Sequence, residues 1–99
     1  MTPIERYKQT NSEGNLWIYI LSLAKDREVA NSDVAHMVFE KFGFLPGGFN
    51  VSRVIFRLRQ QGFASEEKNR GKKAFRTTKE GLRQLEMMKE FCQNLLQKI

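Results

Sequence analysis

Apolar and polar positions along the chain predict a polar beginning followed by a set of amphipathic helices. Residues 1–13 give weak signals, and we interpret them as an arm or a short irregular helix. Residues 15–25 are apolar on almost every side, which predicts a buried helix. Residues 31–42 carry apolar side chains on one side only, which predicts a second helix with Asn31 or Ser32 as its N-cap.

A turn and a third helix follow. Gly43 is expected to end the second helix, and Pro46 favours a turn over residues 43–49 because proline does not suit a helix interior. The apolar spacing then predicts a third helix over residues 50–61, with Asn50 as its N-cap.

The last third of the chain changes from strands to a long helix. Residues 63–77 are predicted to form a β-hairpin whose turn lies at residues 69–71, where a glycine can adopt positive φ. The final helix is predicted over residues 78–97, with Thr77 or Thr78 as its N-cap.

Five positions in and just after this last helix follow the a/d spacing of a coiled coil, with separations of 3, 4, 3 and 4 residues. They are Leu85, Met88, Cys92, Leu95 and Ile99. We interpret them as the dimerisation seam of a homodimer.

Composition adds a positive charge that is confined to one stretch. The chain has a net charge of +6, and residues 50–80 hold nine basic and three acidic side chains, which accounts for all of it. Such a one-sided field favours a polyanionic partner, and nucleic acid is the commonest one.

Several classes of protein are disfavoured by the same composition. One histidine and one cysteine are too few for a zinc site, so no metal and no cofactor are expected, and no grouping of side chains suggests an enzyme. No apolar run is long enough to cross a membrane or to act as a signal peptide, which predicts a cytoplasmic, nucleoid-associated protein.

The order of elements predicts a winged helix-turn-helix: mainly α with a small β-hairpin, and with a long C-terminal dimerisation helix. We expect an N-terminal arm over residues 1–13, a DNA-binding domain over residues 14–80 and a dimerisation helix over residues 81–99.

Candidate DNA-binding residues come from the third helix and the hairpin. An α-helix fits the major groove, where Arg and Asn side chains can read base edges, whereas a basic hairpin can neutralise phosphates. The helix offers Asn50, Ser52, Arg53 and Arg57, and the hairpin offers Lys68, Arg70, Lys72, Lys73 and Arg76. Arg70 is the best candidate for insertion into the minor groove.

Two stretches resemble the PadR-like winged-helix proteins: FRLRQQGF at residues 56–63 and FRTTKEG at residues 75–81. The resemblance covers residues 15–98. It implies a winged-helix fold, double-stranded DNA as partner, transcriptional regulation and dimerisation through the last helix.

The first hypothesis is therefore a homodimeric, sequence-specific double-stranded DNA-binding protein that regulates transcription. The alternative keeps the fold and makes the protein a centromere-binding, DNA-spreading protein of plasmid or chromosome segregation, with further dimer–dimer contacts supplied by residues 1–13. A third class is an interaction module whose basic surface binds an acidic protein.

Overall fold

The structure, a computed structural model, describes residues 1–99. Its elements in chain order are α1 (Pro3–Thr10), α2 (Leu16–Leu23), β1 (Val29–Ala30), α3 (Val34–Phe42), α4 (Gly48–Gln60), β2 (Ala64–Asn69), β3 (Lys72–Thr77) and α5 (Lys79–Lys98). Single 3-10 turns, Glu13–Asn15 and Asn31–Asp33, precede α2 and α3. The predicted helices and hairpin are all present, although several of their bounds differ.

One apolar core joins the helices to the sheet. Phe75 of β3 is fully buried, and it belongs to the same cluster as Ile20 of α2, Val38 of α3 and Ile55 of α4. Leu85, from the first half of α5, completes the cluster. None of the helices combines the length and apolar character needed to cross a bilayer.

The sheet has three antiparallel strands in the order β1-β3-β2. β2 and β3 form the predicted hairpin, with Ala64 opposite Thr77 at its base. The strand β1 is absent from the prediction, because two residues are too few to show an alternating pattern. By pairing Ala30 with Ala74, β1 brings the start of α3 alongside the hairpin.

Two adjacent threonines hold the hairpin base, the end of α4 and the start of α5 together. Thr77 donates its hydroxyl to the Leu21 carbonyl at 2.7 Å, and Thr78 donates its own to the Gly62 carbonyl at 2.6 Å. The Thr78 oxygen also accepts the backbone N–H of Gly81 at 3.1 Å, which confirms Thr78 as the N-cap of α5.

Gly81 lies where α5 passes closest to the chain that follows α4. A Cβ at this position would overlap the Phe63 carbonyl and would lie 2.8 Å from the Thr77 methyl group. The glycine of the FRTTKEG stretch is therefore required by packing.

The predicted N-cap of α4 is wrong. The helix begins at Gly48, and Gly47 occupies the N-cap position with extended backbone and no side-chain hydrogen bond. Asn50 lies inside the first turn, where its Oδ1 accepts a hydrogen bond from Arg53 at 3.2 Å. The turn between α3 and α4 is correspondingly shorter than predicted, although Gly43 ends α3 in the left-handed conformation as expected.

The predicted start of α3 is also wrong. Asn31 and Ser32 lie in the 3-10 turn that connects β1 to the helix, and neither caps it. The helix α2 is shorter than predicted, since Ala24 leaves helical geometry and its carbonyl accepts the backbone N–H of Thr77 at 3.0 Å.

The N-terminal segment is a regular helix over most of its length. Thr2 caps α1 by accepting the N–H of Glu5, and no residue of α1 is buried. Its apolar side chains Ile4 and Tyr7 are exposed. The Tyr19 hydroxyl donates to the Asn11 carbonyl and so fastens the end of α1 to α2.

The predicted seam on α5 is divided between two environments. Leu85 is only 5% exposed and packs in the core of its own chain, so it is not available as a dimer contact. Met88 is half-buried against that core, whereas Cys92, Leu95 and Ile99 are exposed. The reason is that the buried core ends at Leu85, Met88 packs against its edge, and no side chain of α5 beyond Met88 contributes to it.

Candidate nucleic-acid interface

The helix α4 lies between two concave surfaces. The first, which we call the hairpin groove, has a volume of about 780 Å³ and is bounded by the start of α3, one side of α4 and the hairpin. Its polar lining consists of Asn31, Ser32, Ser52, Arg59, Lys72 and Lys73. It brings one predicted base-reading residue and two predicted phosphate-binding residues to the same surface.

The second concave surface, the α2 cleft, has a volume of about 400 Å³ and lies between the start of α2, the other side of α4 and α5. Arg53 and Arg57 line it together with Trp17 and Gln84. The predicted base-reading side chains are therefore not a single cluster, because Ser52 belongs to the hairpin groove and the two arginines border the α2 cleft.

The charges of the hairpin are separated along its length. Its two carboxylates stand in β2 and each is engaged by an arginine: Arg59 contacts Glu66 at 2.9 Å, and Arg76 contacts Glu67 at 3.5 Å. These pairs are partly exposed, so they contribute little to stability. They nevertheless leave Arg76 less available to a partner than the sequence suggests.

The end of the hairpin that is distant from Ala64 and Thr77 consists of residues 68–73, and we call it the hairpin tip. It carries four cations without an acidic partner. Lys68 and Lys73 stand directly opposite each other in the register. Directly opposed side chains of a β-pair have Cβ atoms about 5 Å apart, where like charges destabilise the strands. Arg70 and Lys72 add two further charges, and none of the four forms a salt bridge within the chain.

The tip is a two-residue turn. Arg70 has φ of 54° and Gly71 has φ of 79°, the pair of positive values that defines a type I′ turn. Gly71 adopts positive φ as predicted, whereas Arg70 is the only non-glycine residue that does so. The turn therefore projects a guanidinium group from the outermost point of the hairpin.

Asn31 is a polar residue of the groove that the sequence did not indicate as a DNA contact. Its Oδ1 is buried and accepts no hydrogen bond from the chain. Its place beside Lys72 and Lys73 depends on the pairing of β1 with β3, and no local pattern predicts that pairing.

Comparisons with protein-family models and with curated proteins find no match. Comparison with solved structures does. A PadR family transcriptional regulator from Eggerthella lenta superposes with a TM-score of 0.81 at 22% identity, over 96% of this chain and 87% of that one. A winged-helix DNA-binding protein from STIV superposes with a TM-score of 0.69 at 15% identity, over 82% and 89% of the two chains.

The chain has the winged-helix fold. Its wing is the β2–β3 hairpin, and α4 occupies the place of the recognition helix. Bacillus subtilis PadR, solved in complex with operator DNA, also matches, with a TM-score of 0.66 at 21% identity over 74% of this chain; the match spans 45% of that longer protein. The fold predicted from the PadR-like resemblance is thereby confirmed.

Proposed function

We propose that the protein is a homodimeric, sequence-specific double-stranded DNA-binding protein that regulates transcription. The observation that carries the proposal is the hairpin groove with its adjoining tip. There α4, which fits a major groove and is too wide for a minor groove, lies beside four cations that have no acidic partner. The solved complex of Bacillus subtilis PadR with operator DNA supports this choice of partner. With that function, the protein works in the cytoplasm, on the nucleoid.

In this proposal the recognition helix reads bases and the wing binds the backbone. The 13 residues of α4 span about 20 Å and enter a major groove. Ser52 and Arg53 face base edges, while Asn50 acts chiefly by orienting Arg53, to which it is already hydrogen-bonded. Arg57 contacts bases or phosphates at the edge that borders the α2 cleft.

The wing supplies the electrostatic part of the affinity. Lys68, Lys72 and Lys73 neutralise phosphates, and Arg70 reaches into the neighbouring minor groove. Arg76 contributes less, because it is already engaged by Glu67. Lys68 and Lys73 lie opposite each other and repel in the free protein, and phosphates bound beside them would neutralise this repulsion.

Dimerisation is proposed to use the second half of α5. Beyond Met88 the helix contributes nothing to the core, and it exposes Phe91 (70%), Leu95 (46%) and Leu96 (71%) as well as Cys92 and Ile99. Apolar side chains that repeat over three turns and are left in water favour a helix–helix interface. The two recognition helices would then meet half-sites about 34 Å apart.

Fluorescence anisotropy of a labelled duplex titrated with the full chain tests DNA binding. Four tip cations per subunit make eight per dimer, so log K should fall with log salt by a slope of up to about −7. Lys72→Ala should flatten the slope by about one unit for each subunit bound, and equally for every sequence, whereas Arg53→Ala should relax sequence choice at a cost of about 1–3 kcal/mol. Lys25→Ala, an exposed lysine outside the interface, is the control. Binding that ignores salt would refute the proposal.

Sedimentation tests the dimer. Leu95→Glu should give folded monomers, while Leu45→Glu, an equally drastic change at an exposed leucine of the α3–α4 turn, should leave dimers intact. Leu85→Ala should instead lower the free energy of unfolding by about 2–5 kcal/mol, since it opens a cavity in the core of the subunit. Dimers that persist in Leu95→Glu would contradict the proposed interface.

The segregation function stays a second candidate because α1 exposes Ile4 and Tyr7 and buries nothing against its own chain. Such a helix is available for contacts between dimers that spread along DNA. Footprinting separates the two candidates: a regulator protects a single palindrome whose bounds stay the same as concentration rises, whereas a spreading protein extends its protection outward.

A further inference from the structure

Two phenylalanines are exposed on the recognition helix. Phe49 is 80% exposed and Phe56 is 55% exposed. They stand seven residues apart, which is about two helical turns, so they share one side of α4. Between them in the sequence, Ser52 flanks this stripe on the side of the hairpin groove and Arg53 flanks it on the side of the α2 cleft.

Packing within the chain does not account for these side chains. The core side of α4 is formed by Val51, Ile55 and Leu58, and the two phenylalanines are absent from the core cluster. A single exposed phenylalanine is ordinary, whereas two on one stripe of a helix indicate a contact surface.

The charge around this stripe narrows the choice of partner. The guanidinium of Arg53 lies 6.0 Å from the centre of the Phe49 ring, a cation–π contact that holds a positive charge at the edge of the apolar surface. Phe56 borders the hairpin groove with its two lysines. A surface that is apolar at its centre and cationic at its edges matches the DNA major groove, whose apolar group is the thymine 5-methyl.

We propose that Phe49 and Phe56 contact thymine methyl groups and so require thymines in each half-site. This inference rests on the proposed DNA-binding function and specifies the bases that its site selects. Seven residues of helix rise about 10.5 Å and neighbouring bases are about 3.4 Å apart, so the two thymine contacts lie about three base pairs from each other where the helix follows the groove.

The test replaces thymine by deoxyuridine, which removes the methyl group and leaves base pairing unchanged. A duplex is selected from a random-sequence pool with the full chain, and it is then synthesised once with thymine and once with deoxyuridine. Each lost methyl contact should weaken binding about fourfold in anisotropy titrations. Single replacements should locate two sensitive thymines in each half-site.

Variants assign each thymine to its phenylalanine. Phe56→Ala should abolish the penalty at one of the two thymines, and Phe49→Ala should abolish it at the other. Phe39→Ala is the matched control, because Phe39 is 51% exposed but lies on α3 and outside the hairpin groove. It should keep both penalties, and all three variants change exposed residues and should fold.

The outcomes separate this inference from the function beneath it. Steeply salt-dependent binding that does not distinguish uracil from thymine would overturn the role of the phenylalanines and leave DNA binding intact. A selected half-site without thymine, or penalties that survive in both Phe49→Ala and Phe56→Ala, would overturn it equally. If no duplex can be selected, the proposed DNA-binding function itself is refuted.

Discussion

Arg70 occupies a backbone conformation that suits its position in the hairpin and does not suit its side chain. With φ of 54° it is in the left-handed region at the first central position of a type I′ turn, followed by Gly71. Asparagine and glycine are the residues preferred there, because other L-residues bring Cβ close to the following carbonyl oxygen. We therefore expect Arg70→Asn to stabilise the protein while it weakens DNA binding.

The magnitude follows from the conformation. The left-handed region costs most L-residues about 1–2 kcal/mol, and asparagine avoids part of this. Arg70 makes no salt bridge that the substitution would remove. The free energy of unfolding should thus rise by about 0.5–1 kcal/mol, equivalent to about 2–8 °C in Tm for a domain of this size. Loss of one cation per subunit from the bound tip should flatten the salt slope by about one unit for each subunit bound.

Thermal and urea denaturation followed by circular dichroism measure the first effect, and anisotropy titrations at several salt concentrations measure the second. Arg70→Lys is the matched control, since it keeps both the charge and the unfavourable φ and should resemble the parent in stability and in salt slope. A loss of stability in Arg70→Asn would refute the strain argument. An unchanged salt slope would show that Arg70 does not contribute its charge to DNA binding.

Three further results are expected. Gly81→Ala should lower the free energy of unfolding by about 1–3 kcal/mol in urea titrations, because its methyl group would overlap a backbone carbonyl, whereas Gly48→Ala, with open space around it, should be tolerated. Lys73→Glu should raise stability by about 0.2–1 kcal/mol, by replacing a repelling cross-strand pair with an attractive one, while weakening duplex binding. Burial, with a smaller contribution from Tyr7, raises the pKa of Tyr19 above its ordinary 10.0; the folded state therefore holds this proton more tightly, and stability should fall above pH 10 in the parent more than in Tyr19→Phe.

The parts of the fold that were predictable are those whose cause is local. The left-handed Gly43 and the positive-φ Gly71 each follow from the chemistry of one residue, and the structure has both. The cap of α5 was predicted as one of two threonines, and the structure has it at Thr78. The apolar stripes of the helices are equally local, because a helix repeats every 3.6 residues whatever it packs against. The wing and the helix order could thus be predicted from the chain alone.

The parts that were missed depend on contacts distant in sequence. Nothing near Val29 indicates that it pairs with Phe75, 46 residues later, yet this pairing sets the place of Asn31 in the hairpin groove. Leu85 fits a coiled-coil spacing as well as it fits a core position, and only the extent of the core decides between the two. Likewise, a helical wheel predicts that Arg53 and Arg57 are exposed, but the neighbouring α2 determines which cleft they border.

The position of the carboxylates leaves the uncompensated positive charge of the wing at one end, the hairpin tip. Glu66 and Glu67 compensate Arg59 and Arg76 near the base of the wing, where the sheet meets α4 and the core. These two ion pairs prevent repulsion between cations in the part of the wing that packs against the rest of the domain. The tip, held only by its own turn and register, keeps Lys68 opposite Lys73 and Arg70 in an unfavourable conformation. Both features cost stability in the free protein. In the proposed complex, phosphates beside the tip would relieve the repulsion between the two lysines, whereas the backbone strain at Arg70 remains and is offset only by the contact that its side chain makes. Under the proposed function, the base of the wing thus supplies its stability and the tip supplies its contribution to DNA binding.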